Sequence, residues 1–204
     1  MAENEKLRFA DKKIVICISG MAGTGKSTLS KRLAQRYNLK CYSGGDVLKE
    51  LAKAEGYDAS REGWWESSEG LNFLKKRENN PKFDREVDAT LLEYACEGNV
   101  LLDSWTMPWL LKEGFKIWLS ASIEKRAARV ADRDKITVDE AFRVLEEKEA
   151  RTKAIYLKLY GFVLGEDFAP FDLVLDTDNL TANEVFEVLC RVIGNVVIPV
   201  AASK

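Results

Sequence analysis

Residues 13–37 hold the stretch that most limits what this chain can become. "KIVICIS" (Lys13 to Ser19) is an unbroken run rich in β-branched side chains, which predicts a strand covered on both faces. "GMAGTGKST" follows at Gly20 to Thr28. The next residues, "KSTLSKRLAQRYN", carry Leu29 and Leu33 four apart, as an amphipathic helix does. The eight residues Gly20-Met21-Ala22-Gly23-Thr24-Gly25-Lys26-Ser27 fit G-x-x-x-x-G-K-[ST] in full, between the strand and helix that the pattern requires. Glycines let the backbone curl so that several N–H groups aim at one anion. The helix that follows adds the positive end of its dipole. Gly20 to Thr28 are therefore the expected triphosphate-binding segment. Lys26 is expected at the β- and γ-phosphates, and the Ser27 hydroxyl on Mg²⁺.

Further apolar runs alternate with helical patterns. "KCYS" (Lys40 to Ser43), "NVLLDS", "FKIWLS" and "FDLVLD" read as strands, and "DVLKELAKAEG" (Asp46 to Gly56) as a helix. Tyr57 to Gly98 is polar and charged with isolated aromatics, and predicts two helices broken near "NNP". "ASIEKRAARVADRD" reads as a basic helix. "TVDEAFRVLEEKEARTKAIYLKLYG" is a long helix opened by a capping box at Thr137 and Glu140, and "TANEVFEVLCRVIG" is a last one with the same device at Thr181 and Glu184. "NVVIPVAASK" is expected to pack loosely or fray. Five strands alternating with helices predict an α/β fold, a five-stranded parallel sheet flanked by helices. The 204 residues are read as one domain, with an insertion over about 45–98 and a lid over about 124–155.

Composition removes several classes. Basic and acidic residues number 31 and 33, a net charge of −2, so no overall basic field favours nucleic acid or an anionic membrane. Histidine is absent, and Cys17, Cys41, Cys96 and Cys190 form no Cys-x-x-Cys pair, which argues against zinc. Reduced thiols, a start ("MAENEKLRFADKK") without an apolar signal core, and the lack of any ~20-residue apolar run lead us to expect a cytoplasmic protein. Nothing signals an oligomer, and a monomer is the default.

The loop alone does not separate kinases, GTPases and motor ATPases. The nearest approach to a guanine-reading N-K-x-D is "DTDN" (Asp176 to Asn179), which lacks the lysine, and Asp103 continues Ser-Trp-Thr rather than D-x-x-G. A small kinase needs an acceptor pocket and mobile cations. Tyr57 to Gly98 is long enough to cover an acceptor. Arg126, Arg129 and Arg133 recur at three and four residues, on one helix face, as a cationic lid would present them. Asp103 ends a buried strand where ligands of open α/β sheets sit, and is expected to orient Mg²⁺ with Ser27 or to accept from an acceptor hydroxyl. The catalytic set expected is thus Lys26, Arg126, Arg129, Arg133 and Asp103.

In order along the chain, the glycine loop, "YSGGD", "FDREVD", "NVLLDS", "IWLSASIEKRAARVADRDKITVDEA", "YLKLYG" and "FDLVLDT" resemble the archaeal-type cytidylate kinases over about Ile14 to Val192. The resemblance implies a nucleoside monophosphate kinase fold of the phosphate-loop type, with an acceptor-binding insertion and a lid. It implies transfer from ATP with Mg²⁺ to CMP or dCMP. It matches Ser43, Gly45 and Asp46 to the family's S-A-G-D turn, and Asp84 and Asp88 to its paired aspartates, all on the acceptor side. There the chain also departs. Lys49 stands for the arginine of "FRE", Trp105 for that of "EGR", and Lys148 and Ile155 for arginines of the helix before "YG". Arg151 is expected to substitute, and Trp105 to stack on a base or serve as a core or rim aromatic. Of Trp64 and Trp65, adjacent on the chain, one is expected in the core. Two alternatives stay open: a kinase for another nucleotide, nucleoside or metabolite, and a non-catalytic ATP-binding regulator.

Overall fold

The computed structural model describes residues 13–60 and 63–197. Strands β1 (Val15–Gly20), β2 (Lys40–Ser43), β3 (Val100–Asp103), β4 (Phe115–Ser120) and β5 (Leu173–Asp176) form one parallel sheet in the order β2-β3-β1-β4-β5. Strand alternation sorts the core into two layers. Cys17 and Leu102 face one side, against α2 (Gly44–Ala54), α4 (Lys82–Glu97) and the aromatic cluster of Trp64, Phe73 and Phe83. Ile16, Ile18, Leu101 and Ile117 face the other, against α1 (Lys26–Tyr37) and α8 (Ala182–Val192). Both layers are apolar because helices cover both faces, which is why the strand runs are not alternating in sequence.

Between β2 and β3 the chain leaves the sheet to build α2, a single turn of tighter helix (Trp64–Glu66), α3 (Ser68–Asn79) and α4. The break before α4 falls at Asn80 and Pro81, as "NNP" predicts. Helix α2 begins at Gly44, two residues before the expected Asp46, because the Ser43 hydroxyl accepts the Asp46 N–H at 3.3 Å and caps the helix. After β3 comes a short α5 (Met107–Leu110), and after β4 two helices pack as a pair, α6 (Ile123–Asp134) and α7 (Val138–Tyr160). At α8 both halves of the capping box are made: Thr181 N–H donates to Glu184 at 2.7 Å and Glu184 N–H to Thr181 at 3.3 Å. At α7 the Thr137 hydroxyl accepts the Glu140 N–H at 3.2 Å.

The tail, expected to fray, turns once more after α8, and Val197 packs against the core layer beneath α1; residues 198–204 lie outside the described residues, as do residues 1–12 of the start. No helix among the described residues is long and apolar enough to cross a membrane. Strand register brings the carboxyl ends of β2 and β3 level, with Ser43 opposite Asp103, while β1 runs past Ile18, the other partner of Asp103, to Gly20. A cleft of about 540 Å³ opens at this edge, below the insertion and beside α6.

Candidate functional site

The glycine loop forms one end of the cleft. Gly25 has φ 89° and N-caps α1 with no side chain, a left-handed conformation that a β-carbon would strain. Gly23, at φ 83°, runs against the first turn of α6. A β-carbon there would stand 2.9 Å from that of Arg126. The loop thus curls as expected and is packed against α6. Lys26 donates to the Met21 carbonyl at 2.9 Å, across the loop. Its ammonium, at the cleft's end, is pushed down to about 8; burial is the cause, partly offset by Asp103 and reinforced by Lys148 and Arg126.

Beside it, the Ser27 hydroxyl donates to Asp103 at 2.6 Å. Burial raises Asp103, while Lys26 and the Ser27 hydrogen bond pull the other way. Asp103 therefore meets Ser27, while the first N–H of α5, that of Met107, donates to the Ser104 hydroxyl at 3.3 Å. A hydroxyl and a buried carboxylate are hard oxygen donors, the kind that hold Mg²⁺ when phosphate oxygens and waters complete its shell. This pair fits the ion.

The far end is built by the insertion and α7. Ser43, Gly45, Asp46 and Lys49 line it along the start of α2, and Asp84 and Asp88 from α4. Arg77 of α3, 4% exposed, donates to both oxygens of Asp84 at 2.5 and 3.3 Å and to the Tyr156 hydroxyl at 3.5 Å. Asp88 accepts from Thr106 and Tyr160, and burial pushes it up to about 6 against the downward pull of those two bonds. Trp105 lies in the middle, its indole N–H bonded to the Gly20 carbonyl at 2.6 Å. Lys26 and Lys148 stand over its ring at 5.7 and 6.0 Å. Trp64 is fully buried while Trp65 faces the cleft, so the adjacent pair splits as expected.

The three arginines of α6 do three different things. Arg129 lines the cleft and donates to Thr177, at 3.3 Å to its hydroxyl and 2.9 Å to its carbonyl. Arg133 also lines it, held by Asp134 at 2.6 Å and by Glu66 at 2.8 Å. Arg126 does not present itself to the cleft. It is 5% exposed, pairs with Glu149 of α7, and donates to the Ala22 carbonyl at 3.1 Å and the Ala121 carbonyl at 3.0 Å. Its guanidinium is a tie between α6 and the loop, turned away from the cleft by the Glu149 carboxylate of the paired helix.

Arg151 does not meet its expectation. It is bound to Glu78 and to Glu147, at 2.9 and 3.0 Å, outside the cleft wall. The inward stripe of α7 runs through Lys148, Thr152 and Tyr156 at helical spacing, and Arg151 falls off it. Lys148 takes the inward place and binds Glu66 at 2.6 Å. Sequence reasoning did not single out Arg77, Glu66 or Tyr156. The signal for Arg77 is its position: it continues the apolar stripe of Gly70, Phe73 and Leu74, where a charged residue must have a buried partner.

Comparison with known proteins shows the family. Residues 15–179 match the model of the cytidylate kinase-like family. Cytidylate kinase of Pyrococcus horikoshii is 38% identical over 87% of this chain and 86% of that protein. Cytidylate kinase of Methanocaldococcus jannaschii is 34% identical over 89% of this chain and 98% of that protein. Among solved structures, shikimate kinase from Bacteroides thetaiotaomicron superposes with a TM-score of 0.56 over 91% of this chain and 99% of that one, at 14% identity, a likeness of fold alone. With a phosphate loop at one end of the cleft, a second polar wall at the other and relatives of this identity over most of its length, the chain belongs to the cytidylate kinase-like family.

Proposed function

We propose that this protein transfers the γ-phosphoryl group of ATP to a pyrimidine nucleoside monophosphate, CMP or dCMP, with Mg²⁺. The observation that carries the reading is the single cleft that joins the Lys26 loop and the Ser27–Asp103 pair to the wall of Arg77, Asp84 and Asp88. The names of the relatives supply the acceptor class.

In this reading the loop N–H groups and Lys26 hold the triphosphate, and Ser27 and Asp103 would hold Mg²⁺, which would supply charge neutralisation when bound. Ser43, Gly45, Asp46 and Lys49 edge the acceptor site over residues 45–98. Asp84 and Asp88 offer hydrogen-bond acceptors to the base or sugar, and Trp105 a ring face. Arg129 and Arg133, on the lid over residues 124–155, close on the transferring group, while Arg126 positions the loop through Ala22. Phosphoryl transfer needs alignment and charge neutralisation more than a strong base, and closure keeps water from competing. Arg77 and Lys148 supply cations where the resemblance left the acceptor side short of arginine. The four free cysteines fit a reducing compartment, and we place the protein in the cytoplasm as a monomer.

The test is a panel of nucleoside monophosphates, nucleosides and small hydroxyl metabolites, with ATP and Mg²⁺, read by ADP release and product identity. Selective formation of CDP or dCDP is the expected result. Preference for another acceptor, or ADP release that no acceptor stimulates, would reject it.

A further inference from the structure

Glu66 sits where two parts of the cleft meet. It ends the single turn that opens the insertion's second half, and its side chain is 6% exposed. One carboxylate oxygen accepts from Lys148 of α7 at 2.6 Å and the other from Arg133 of α6 at 2.8 Å. Both cations line the cleft. Just before this turn, Gly63 lies against the end of α6; a β-carbon there would be 2.8 Å from Asp134. The insertion and the lid are thus joined at one carboxylate.

The two cations differ in how far they depend on it. Arg133 also has Asp134, bonded at 2.6 and 2.7 Å. Lys148 is set between two indoles, 5.7 Å from the ring of Trp65 and 6.0 Å from that of Trp105. Lys26 of the phosphate loop stands over the same Trp105 ring, so the two ammoniums flank one indole, and Lys148 is close enough to lower Lys26. Lys148 therefore lies where donor and acceptor phosphates would approach each other. A carboxylate on a lysine and an arginine makes the same charge-assisted bonds that a phosphate makes, with one charge fewer.

We propose that Glu66 is a substrate-displaced carboxylate, which occupies Lys148 and Arg133 until acceptor phosphate takes its place. The proposal rests on the phosphotransfer reading above and deepens it, because it names what couples the lid to acceptor occupancy. With ATP alone, Glu66 keeps two cations from the γ-phosphate, and transfer to water stays slow. A dianionic monophosphate outcompetes the monoanionic carboxylate. It thereby recruits Lys148 and Arg133 to the reacting groups, and Glu66 swings clear. Glu66 is a positioning residue here: it acts through the two cations and touches no reacting atom.

The experiment uses Glu66→Gln, which keeps shape and one acceptor oxygen but removes the charge, and Glu66→Asp, which keeps the charge. ADP release from ATP and Mg²⁺ is measured without acceptor, ATP affinity by calorimetry, and KM and kcat for CMP with the ratio of ADP to CDP formed. Glu66→Gln is expected to raise acceptor-independent ADP release roughly tenfold, the worth of about one charge-assisted bond. It should also lower KM for CMP several-fold at similar kcat and push the ADP to CDP ratio above one. Glu66→Asp should return hydrolysis toward wild type. A Glu66→Gln protein with wild-type hydrolysis and KM overturns the proposal, and so does one that melts lower with those constants unchanged, since Glu66 is then a brace. The hydrolysis and ATP-affinity arms need no CMP. If wild type forms no CDP, the acceptor assignment fails while those arms still decide the role of Glu66.

Discussion

The indole N–H of Trp105 donates to the carbonyl of Gly20 at 2.6 Å, tying the residue two past the end of β3 to the first residue of the phosphate loop. The resemblance implies an arginine at this position; here the side chain braces the glycine loop instead. The ring it adds is flanked by Lys26 and Lys148, which turn a lost charge into a surface that holds two others in place.

Trp105→Phe isolates the brace from the ring. The phenyl group keeps a π-face near both lysines but has no donor, so the Gly20 carbonyl loses its side-chain partner. Removing one such bond costs about 1 kcal/mol, or about fivefold in an equilibrium constant. The expected outcome is a KM for ATP raised by about that factor with kcat for CMP little changed. Trp105→Ala, which removes the ring as well, should raise both KM values. Steady-state kinetics on the two variants check this.

Asp88 should print an acid limb on the rate profile. Its pKa of about 6 lies above the ordinary 3.8 because it is buried. Above that value it is ionised and can accept from Thr106, Tyr160 and a bound acceptor; below it the proton removes that capacity. kcat/KM for CMP should fall as pH drops through about 6, and Asp88→Asn should lower the plateau and abolish the limb. The stability sign is opposite to that of a salt-bridged carboxylate. The folded state binds the proton more tightly than the unfolded chain, so stability decreases as pH rises from 3.8 to about 6 and is level above. Thermal melts of wild type against Asp88→Asn across that range read the difference.

How far the sequence carried differs between the two ends of the cleft. The strand, loop and helix of residues 13–37 are a local arrangement, and spacing alone places Lys26, Ser27 and the glycines. Asp103 was legible as a carboxylate at the sheet's ligand edge, because it closes an apolar strand, and the structure adds its bond to Ser27. The far wall of the cleft is assembled from α2, α3, α4 and α7, far apart in the chain, and each side chain's aim depends on how those helices dock. Arg151 looked like a replacement for a missing arginine, yet a difference of three residues puts Lys148 on the inward stripe and Arg151 on Glu78 and Glu147. Arg126, Arg129 and Arg133 do share a helix, but the partner that turns Arg126 inward comes from α7, which no periodicity in α6 reveals.

Lys26 gives a second pH dependence, on the alkaline side. With its ammonium lowered to about 8 from 10.5, the free protein loses this charge at a pH where an ordinary lysine keeps it. ATP affinity, measured by calorimetry at fixed Mg²⁺, should weaken as pH rises above about 8. Stability should move the other way: between 8 and 10.5 the unfolded chain holds the proton more tightly, so the ligand-free protein gains stability as pH rises through that window. Lys26→Ala removes both effects, and should abolish turnover while the protein remains folded with a melting temperature no lower than wild type. Near-normal turnover in that variant would contradict the assignment of the loop.

The Arg126–Glu149 pair predicts a stability effect that reaches the loop without touching substrate. Both groups are buried, and Arg126 holds the carbonyls of Ala22 and Ala121 as well, so α6, α7 and the phosphate loop meet at one guanidinium. Gly23 packs on the same residue's backbone, leaving little room to re-aim the side chain. Glu149→Gln leaves the buried cation without its counter-charge, and breaking one partner of such a pair costs about 3–5 kcal/mol. Replacing both with apolar groups of similar size avoids the stranded charge. Urea unfolding should therefore find Arg126→Met/Glu149→Leu less destabilised than the sum of its single variants. Stability and function should then separate: the double variant loses the tie to Ala22, so its KM for ATP should stay raised even where its unfolding midpoint recovers. If KM recovers with the midpoint, Arg126 serves the helix pair alone, and the loop keeps its shape without it.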